Sequence, residues 1–441
     1  MILTFDKKIK QMKYTPINKA LYILNRANFV KQLKPKSVAV FNSNDIMPTN
    51  ADGSMPFRQN NDLLYLSGID QEESILVICP EATNPKHREI LFLKETSELI
   101  AIWEGAKLTK EQAFEQSGIE TVYWTSEFDQ IFHSLVYESE NIYLNQNEHL
   151  RASKIVETRD DRFRKSCQQK YTLQNYERLA PIMRNLRAIK SPLEIEAMQR
   201  ACDITEKGVR RILKFVKPGV MEYEIEAEFT HEFLMNRSRG HAYEPIIASG
   251  FNACVLHYVE NNKECKAGDV ILMDVGAEYG NYASDLSRSI PVSGKFTPRK
   301  KDVYNAVLRV FKAAAAMLVP GTDHETYHLK VGDVMEKELI GLGLLNKDEV
   351  AKQDPKNPLY KKYFMHGTSH HIGLDVHDVE IRNRPFEAGM VLTVEPGIYI
   401  REENLGIRIE NDFLITKDGP PIDLMKNIPI EADDIEALMN A

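Results

Sequence analysis

Four carboxylates in this chain stand where a carboxylate is costly unless something compensates it. Asp274 closes the apolar run Val270-Ile271-Leu272-Met273, which reads as a buried strand. Asp285 follows eleven residues later, beyond Gly276 and Gly280, as expected across a hairpin. Glu395 ends a second apolar run, Val391-Leu392-Thr393-Val394. In Gly406-Ile407-Arg408-Ile409-Glu410-Asn411 the period of two places Arg408 and Glu410 on one face of a strand. Nine of the twelve histidines follow residue 230, among them those of His366-Gly367-Thr368-Ser369-His370-His371 and then His377. Asp274, Asp285, His370, Glu395 and Glu410 form the candidate ligand set. Four carboxylates and one imidazole carry too much negative charge for a single cation and suit two divalent ions sharing bridging carboxylates. The oxygen-rich donor set favours Mn²⁺, with Co²⁺, Fe²⁺ or Zn²⁺ as substitutes. A buried aspartate on its own is more often a structural hydrogen-bond acceptor, so the weight lies in five such residues occurring together.

The elements that position these residues come in two matching sets. Ser191-Pro192-Leu193-Glu194 is a helix start with Ser as cap, Pro at the first helical position and Glu three after the cap. Met198, Cys202, Thr205, Val209, Ile212 and Val216 keep helical spacing up to Lys217-Pro218-Gly219, and a second helical pattern runs from Tyr223 to Leu234. About a hundred residues later the plan recurs. Thr297-Pro298 opens a helix that stops at Val319-Pro320-Gly321, and another pattern runs from His324 towards Leu339. The strand-rich segments that follow also match: residues 267–276 align with 388–397 at a constant offset, 388 − 267 = 395 − 274 = 121. Asp274 and Glu395 are therefore equivalent, and an acid from each half implies a pseudo-two-fold site between them. Upstream, Val38–Phe41, Ile75–Ile78, Glu89–Leu93 and Asn141–Leu144 read as buried strands, with a helix expected over Lys19–Lys31. That alternation predicts an α/β domain over residues 1–171, and the duplicated α+β domain takes residues 172–441.

With those motifs stated, the chain resembles the metal-dependent pita-bread peptidases, and within them the aminopeptidase P (Xaa-Pro aminopeptidase) family. The resemblance is carried by His257-Tyr258, Met273–Gly276 with Asp285, His366–His370, Val394–Gly397 and Arg408–Glu410. It reaches the first domain through Asn61–Gly68, which is similar to creatinase-type N-terminal domains. The resemblance implies that Asp274 binds one metal, His370 and Glu395 the other, and that Asp285 and Glu410 reach both. It further implies a hydroxide held between the metals as nucleophile, with Glu395 handling its proton. His257, His366 and His377 would orient the substrate, and Tyr243 and Arg408 would hold the ligating carboxylates. The implied reaction is hydrolysis of the first bond of a peptide with proline at the second position; the implied assembly is a homodimer or homotetramer. Prolidase, which cleaves only Xaa-Pro dipeptides, shares all five ligands, and a non-catalytic pita-bread binding protein is the rival from another class. Two positions depart from the family pattern: Thr368 replaces a more usual Leu, and His371 stands where a bulky apolar residue is usual. In a strand His371 would face away from His370, so it is not counted as a ligand.

Composition narrows the field further. The 441 residues carry a net charge of −8 with no long run of Lys and Arg, which argues against nucleic acid as a partner. No apolar run approaches membrane length, and Asp6, Lys7 and Lys8 interrupt the N-terminus too early for a signal-peptide core. The five scattered cysteines include no CxxC pair and fit reduced thiols, so a cytoplasmic location is expected. His241, His324 and His328 have no motif support and read as ordinary surface or helix histidines. Trp103 reads either as packing within the first domain or as an aromatic offered to a neighbouring subunit.

Overall fold

The computed structural model of the chain describes residues 14–152, 155–381 and 384–441. The N-terminal stretch around Asp6 lies outside them. The chain divides into two compact units, residues 1–187 and 188–441.

The first unit is built on one six-stranded mixed sheet of order β4-β3-β2-β1-β5-β6. Its strands are β1 (Ser37–Asn42), β2 (Ile75–Ile78), β3 (Glu89–Leu93), β4 (Thr121–Trp124), β5 (Asn141–Leu144) and β6 (Asn175–Arg178). β1 is antiparallel to β2 and parallel to β5. Its helices are α1 (Ala20–Val30), α2 (Asn61–Ser67), α3 (Glu98–Glu104), α4 (Lys110–Ser117), α5 (Phe128–Glu138), α6 (Arg159–Lys170) and α7 (Ala180–Ala188), the last running into the boundary. One face of the sheet packs Val38, Val40, Ile90 and Phe92 against Phe128 and Phe132 of α5. The sequence puts the domain boundary after Tyr171. In the structure β6 pairs in parallel with β5, so the segment that follows Tyr171 completes this sheet and belongs with the first unit. A buried acid ties three elements of the unit. Asp160, in the first turn of α6, accepts from Asn42 Nδ2 at the end of β1 (2.9 Å) and from Asn60 Nδ2 at the start of α2 (3.4 Å).

The second unit shows the duplication directly. α8 (Pro192–Phe215) and α9 (Glu222–Met235) precede the sheet of β7 (Ile246–Ser249), β8 (Val270–Val275) and β11 (Leu286–Pro291), whose order is β11-β8-β7. A small ladder of β9 (Glu278–Tyr279) and β10 (Tyr282–Ala283) lies between β8 and β11. α10 (Pro298–Ala316) and α11 (His324–Gly341) then precede β12 (Val391–Val394), which pairs with β15 (Asn411–Leu414) and through it with β16 (Ile422–Asp423). β13 (Gly397–Ile400) and β14 (Leu405–Arg408) form their own ladder. β8 and β12 begin at residues 270 and 391, so the 121-residue offset holds in the fold. The helix starts follow their caps: Ser191 accepts from Glu194 N–H while Glu194 returns a bond to Ser191 N–H.

Two features join the halves. Arg288 is fully buried and donates to the carbonyls of Ser287, Glu410 and Pro429 and to Asn411 Oδ1 (2.6–2.9 Å). Gly406 is required because a Cβ there would sit 2.1 Å from the carbonyl oxygen of Ala253. Among the described residues no helix is long and apolar enough to cross a membrane.

The environment of Asp160 gives a pH prediction for the first unit. Burial raises its pKa from 3.8 to about 7; the Asn42 bond opposes the shift and the neighbouring Asp62 charge adds to it. A carboxyl with a raised folded pKa stabilises most below its unfolded value, and that contribution is lost as pH climbs through the folded value. Protection of α6 amides against hydrogen exchange, corrected for intrinsic rates, should therefore fall between pH 5 and pH 8. Asp160→Asn should flatten that fall; a variant with the wild-type pH dependence would contradict the assignment.

Candidate metal centre

All five predicted ligands and both predicted carboxylate holders converge in the second unit. Asp274 lies on the central strand β8, directly opposite Ser287 on β11. Asp285 is the residue before β11, and the hairpin between the two acids is closed tightly. A Cβ on Gly276 would sit 1.8 Å from the Ser284 carbonyl oxygen, so only glycine permits this crossing. Glu395 follows β12, and Glu410 lies in the two-residue step between β14 and β15. One continuous strand was expected over 406–411. Instead the chain changes ladders at Ile409-Glu410, pairing with β13 before the step and with β12 after it. Arg408 and Glu410 still turn to the same place: Ser287 Oγ accepts from Arg408 Nε and donates to Glu410 Oε2, both at 2.7 Å.

The distances inside the cluster are those of groups that share a charge. Single donor atoms of Asp285, His370 and Glu410 lie within 4.8 Å of one another. His370 Nε2 is 3.4 Å from Asp285 Oδ2 and 3.8 Å from Glu395 Oε1. His370 Nδ1 is 3.0 Å from the His371 carbonyl, which fixes a proton on Nδ1 and turns Nε2 towards the acids. Arg408 NH2 donates to Asp274 Oδ2 at 2.6 Å. Tyr243 Oη lies 2.6 Å from both Asp274 Oδ1 and Asp285 Oδ1. One hydroxyl hydrogen serves one of those oxygens, so the other needs a proton or a cation. Three of the four carboxyls show the same demand; Asp285 is the exception, held below the usual carboxylate value against its burial by the His370 bond and charge. Burial, reinforced by the neighbouring acids, pushes Asp274 up, Glu395 to about 7 and Glu410 well above the usual carboxylate range; His370 and Arg408 oppose this only in part. His370 is driven up to about 9 against its burial by the Asp285 bond and the Glu395 charge. A cluster that takes up protons to relieve its charge is a cluster that divalent cations fit.

Around it, His366 Nε2 lies 2.8 Å from Tyr399 Oη, which accepts from Arg408 NH1 at 2.8 Å. His366 Nδ1 is 3.6 Å from Glu395 Oε2. His377 stacks edge-on against His370, ring centroids 4.4 Å apart. His371 is buried away from the acids, its ring 5.5 Å from His324, as expected for a residue outside the ligand set.

Several residues were not legible. Ser287 and Tyr399 carry no motif signal; Tyr399 meets Arg408 because it pairs with Gly406, which puts Arg408 on the adjacent diagonal of the ladder. Glu222 is fully buried and accepts from Ser249 N–H and Oγ, Asn252 Nδ2, Tyr258 Oη and Lys263 N–H, so it organises the loop bearing His257. His324 and His328 are not ordinary surface histidines: both pack against the 366–371 segment. His241 is partly buried and bonds Thr230, and burial lowers its pKa to about 4. In the first unit Trp103 is 82% exposed on α3, which excludes the intradomain packing role.

The comparisons agree with the geometry. Residues 196–417 match the model of metallopeptidase family M24, and residues 22–143 match that of the aminopeptidase P N-terminal domain. The chain belongs to metallopeptidase family M24 and is a metal-dependent peptide hydrolase. It is similar to the Xaa-Pro aminopeptidase of Escherichia coli K12, 35% identical over 431 residues, which covers 94% of this chain and 96% of that protein. It superposes on E. coli aminopeptidase P in complex with substrate (TM-score 0.86, 32% identity, 97% of this chain and 99% of that one). A zinc-substituted product complex of the same enzyme matches equally well (TM-score 0.86, 33% identity, 97% and 99%).

Arg408 tests how the carboxylates of the cluster are held in place. Arg408→Ala should weaken divalent-cation binding about 10–100-fold, the usual effect of removing a ligand's hydrogen-bonded support. Arg408→Lys should not restore it, because an ammonium cannot reach Asp274, Ser287 and Tyr399 at once. Calorimetric titration with Mn²⁺ reads both variants; wild-type affinity in the alanine variant would contradict the role.

Proposed function

We propose that this chain is an Xaa-Pro aminopeptidase that removes the residue before proline from the N-terminus of peptides, using two divalent ions, with Mn²⁺ as the native metal. The observation that carries this reading is the convergence of Asp274, Asp285, His370, Glu395 and Glu410 with one hydroxyl hydrogen shared by two carboxylates. Two ions fit four carboxylates better than one. Asp274 would hold the first, His370 and Glu395 the second, with Asp285 and Glu410 between them. When bound, such a pair polarises the scissile carbonyl and acidifies water.

The chain's own side chains do the rest. Glu395 takes the proton from the attacking water and passes it towards the departing proline nitrogen, completing cleavage of the C–N bond. His366, its Nδ1 held by the Gly367 carbonyl and its Nε2 by Tyr399 Oη, would border the substrate carbonyl region, with His257 as a further substrate-facing histidine. His377, whose ring lies against that of His370, would be a further substrate-orienting histidine. Proline's missing N–H and fixed φ set this bond apart from others and make a dedicated site useful. The names of the similar proteins support the substrate class.

We further propose a homo-oligomer in a cytoplasmic compartment. Leu99, Ile102 and Trp103 lie exposed on α3, at 66%, 77% and 82%, which supports association. Five buried free thiols support reducing surroundings.

The assay is a comparison of an Xaa-Pro-Yaa tripeptide with the matching Xaa-Pro dipeptide, before and after chelation. The tripeptide should be cleaved, activity should vanish with chelator, and Mn²⁺ should restore it. Cleavage of the dipeptide alone would make the protein a prolidase. No activity and no bound metal would favour a binding protein on the same fold.

A further inference from the structure

Helix α11 turns His324 and His328, four residues apart, towards the segment that carries His366 and His370. His328 Nδ1 lies 2.8 Å from Thr368 Oγ1, and Thr368 is 1% exposed. The His328 ring is held against Phe364 and Tyr360, centroids 5.8 and 6.4 Å away. On its other side Thr368 offers its carbonyl to Glu395 N–H at 2.9 Å. Two residues on, His370 N–H donates to Thr393 Oγ1 (3.2 Å) and the His370 carbonyl accepts from Thr393 N–H (3.0 Å). Residues 368–370 thus lie along residues 393–395, and the backbone registers of His370 and Glu395 are fixed by each other.

What keeps that pair in place against the rest of the unit is α11. His324 repeats the contact one turn earlier, its ring 5.5 Å from His371 and 4.7 Å from Phe386. Thr368 and His371 are the two positions where the sequence departs from the family pattern, and each faces a histidine of α11. The two departures and the two helix histidines form one polar seam.

We propose that His328, acting through the Thr368 hydroxyl, is a positioning residue that sets the backbone on which His370 and Glu395 sit and thereby tunes the centre's affinity for divalent cations. The inference rests on reading those two residues as ligands. A buried hydroxyl and a half-buried imidazole satisfy each other; removing the imidazole strands the hydroxyl, removing the hydroxyl costs the imidazole its partner, and removing both leaves neither unpaired.

The experiment is a double-mutant cycle on the full chain, read by Mn²⁺ titration together with kcat and KM on an Xaa-Pro-Yaa peptide. His328→Leu and Thr368→Val should each weaken Mn²⁺ binding about 10–100-fold. Thr368→Ser, which keeps the hydroxyl, should bind Mn²⁺ as the wild type does. The double variant should recover affinity relative to either single change. With Mn²⁺ saturating, kcat should return in the single variants while KM stays near the wild-type value. Overturning results are wild-type affinity in both single variants, a serine variant as weak as the valine one, or additive losses in the double variant. Should His328→Leu fail to fold, the serine–valine comparison decides alone. A wild-type chain that binds no Mn²⁺ refutes the ligand reading itself, whereas normal wild-type binding with unaffected variants refutes only this inference.

Discussion

The second unit is organised around negative charge that it cannot hold by itself. Two like charges 4 Å apart repel by about 4 kcal/mol even at an effective dielectric constant of about 20. Four carboxylates are gathered here with one arginine and one imidazole in direct contact. Arg408 spans Asp274, Ser287 and Tyr399, so its one charge is spread over several partners. The remaining demand appears as carboxyls that hold protons at unusually high pH and as a hydroxyl pressed between two acids. Protons or divalent cations meet that demand, and only cations would do so while leaving every carboxylate oxygen available as a ligand.

The duplication explains how one chain brings such a cluster together. Each half ends a buried strand in an acid, Asp274 after β8's apolar run and Glu395 after that of β12. The join is made by the main-chain bond from Glu410 N–H to the Ser287 carbonyl and by the buried Arg288, which reads carbonyls from both halves. The close crossings at Gly276 and Gly406 bring backbone to backbone at distances any side chain would prevent. The acids are therefore held by sheet geometry, whereas His257, His366 and His377 come from loops.

Much of this was legible in the sequence, for identifiable reasons. The capped helices at Ser191 and Thr297, the repeat of 121 residues and the five residues that converge in the cluster each rest on local chemistry or on spacing. What could not be read depends on contacts distant in sequence. β6 is a polar edge strand, Asn175-Tyr176-Glu177-Arg178, recognisable only by its pairing with β5, and so the boundary moved to 187. Ser287, Tyr399 and Glu222 are common residue types whose roles come from partners 36 to 123 residues away in some bonds and from a ladder diagonal in others. His324 and His328 looked ordinary because their partner segment lies some forty residues on, a separation that period-based reading does not cross.

Anomalous scattering from crystals grown with Mn²⁺ and measured at the manganese edge tests the central claim most directly. The account predicts two peaks, both bounded by Asp274, Asp285, His370, Glu395 and Glu410, with Asp285 and Glu410 touching each. A cluster without a peak, a single peak, or manganese bound elsewhere would contradict it.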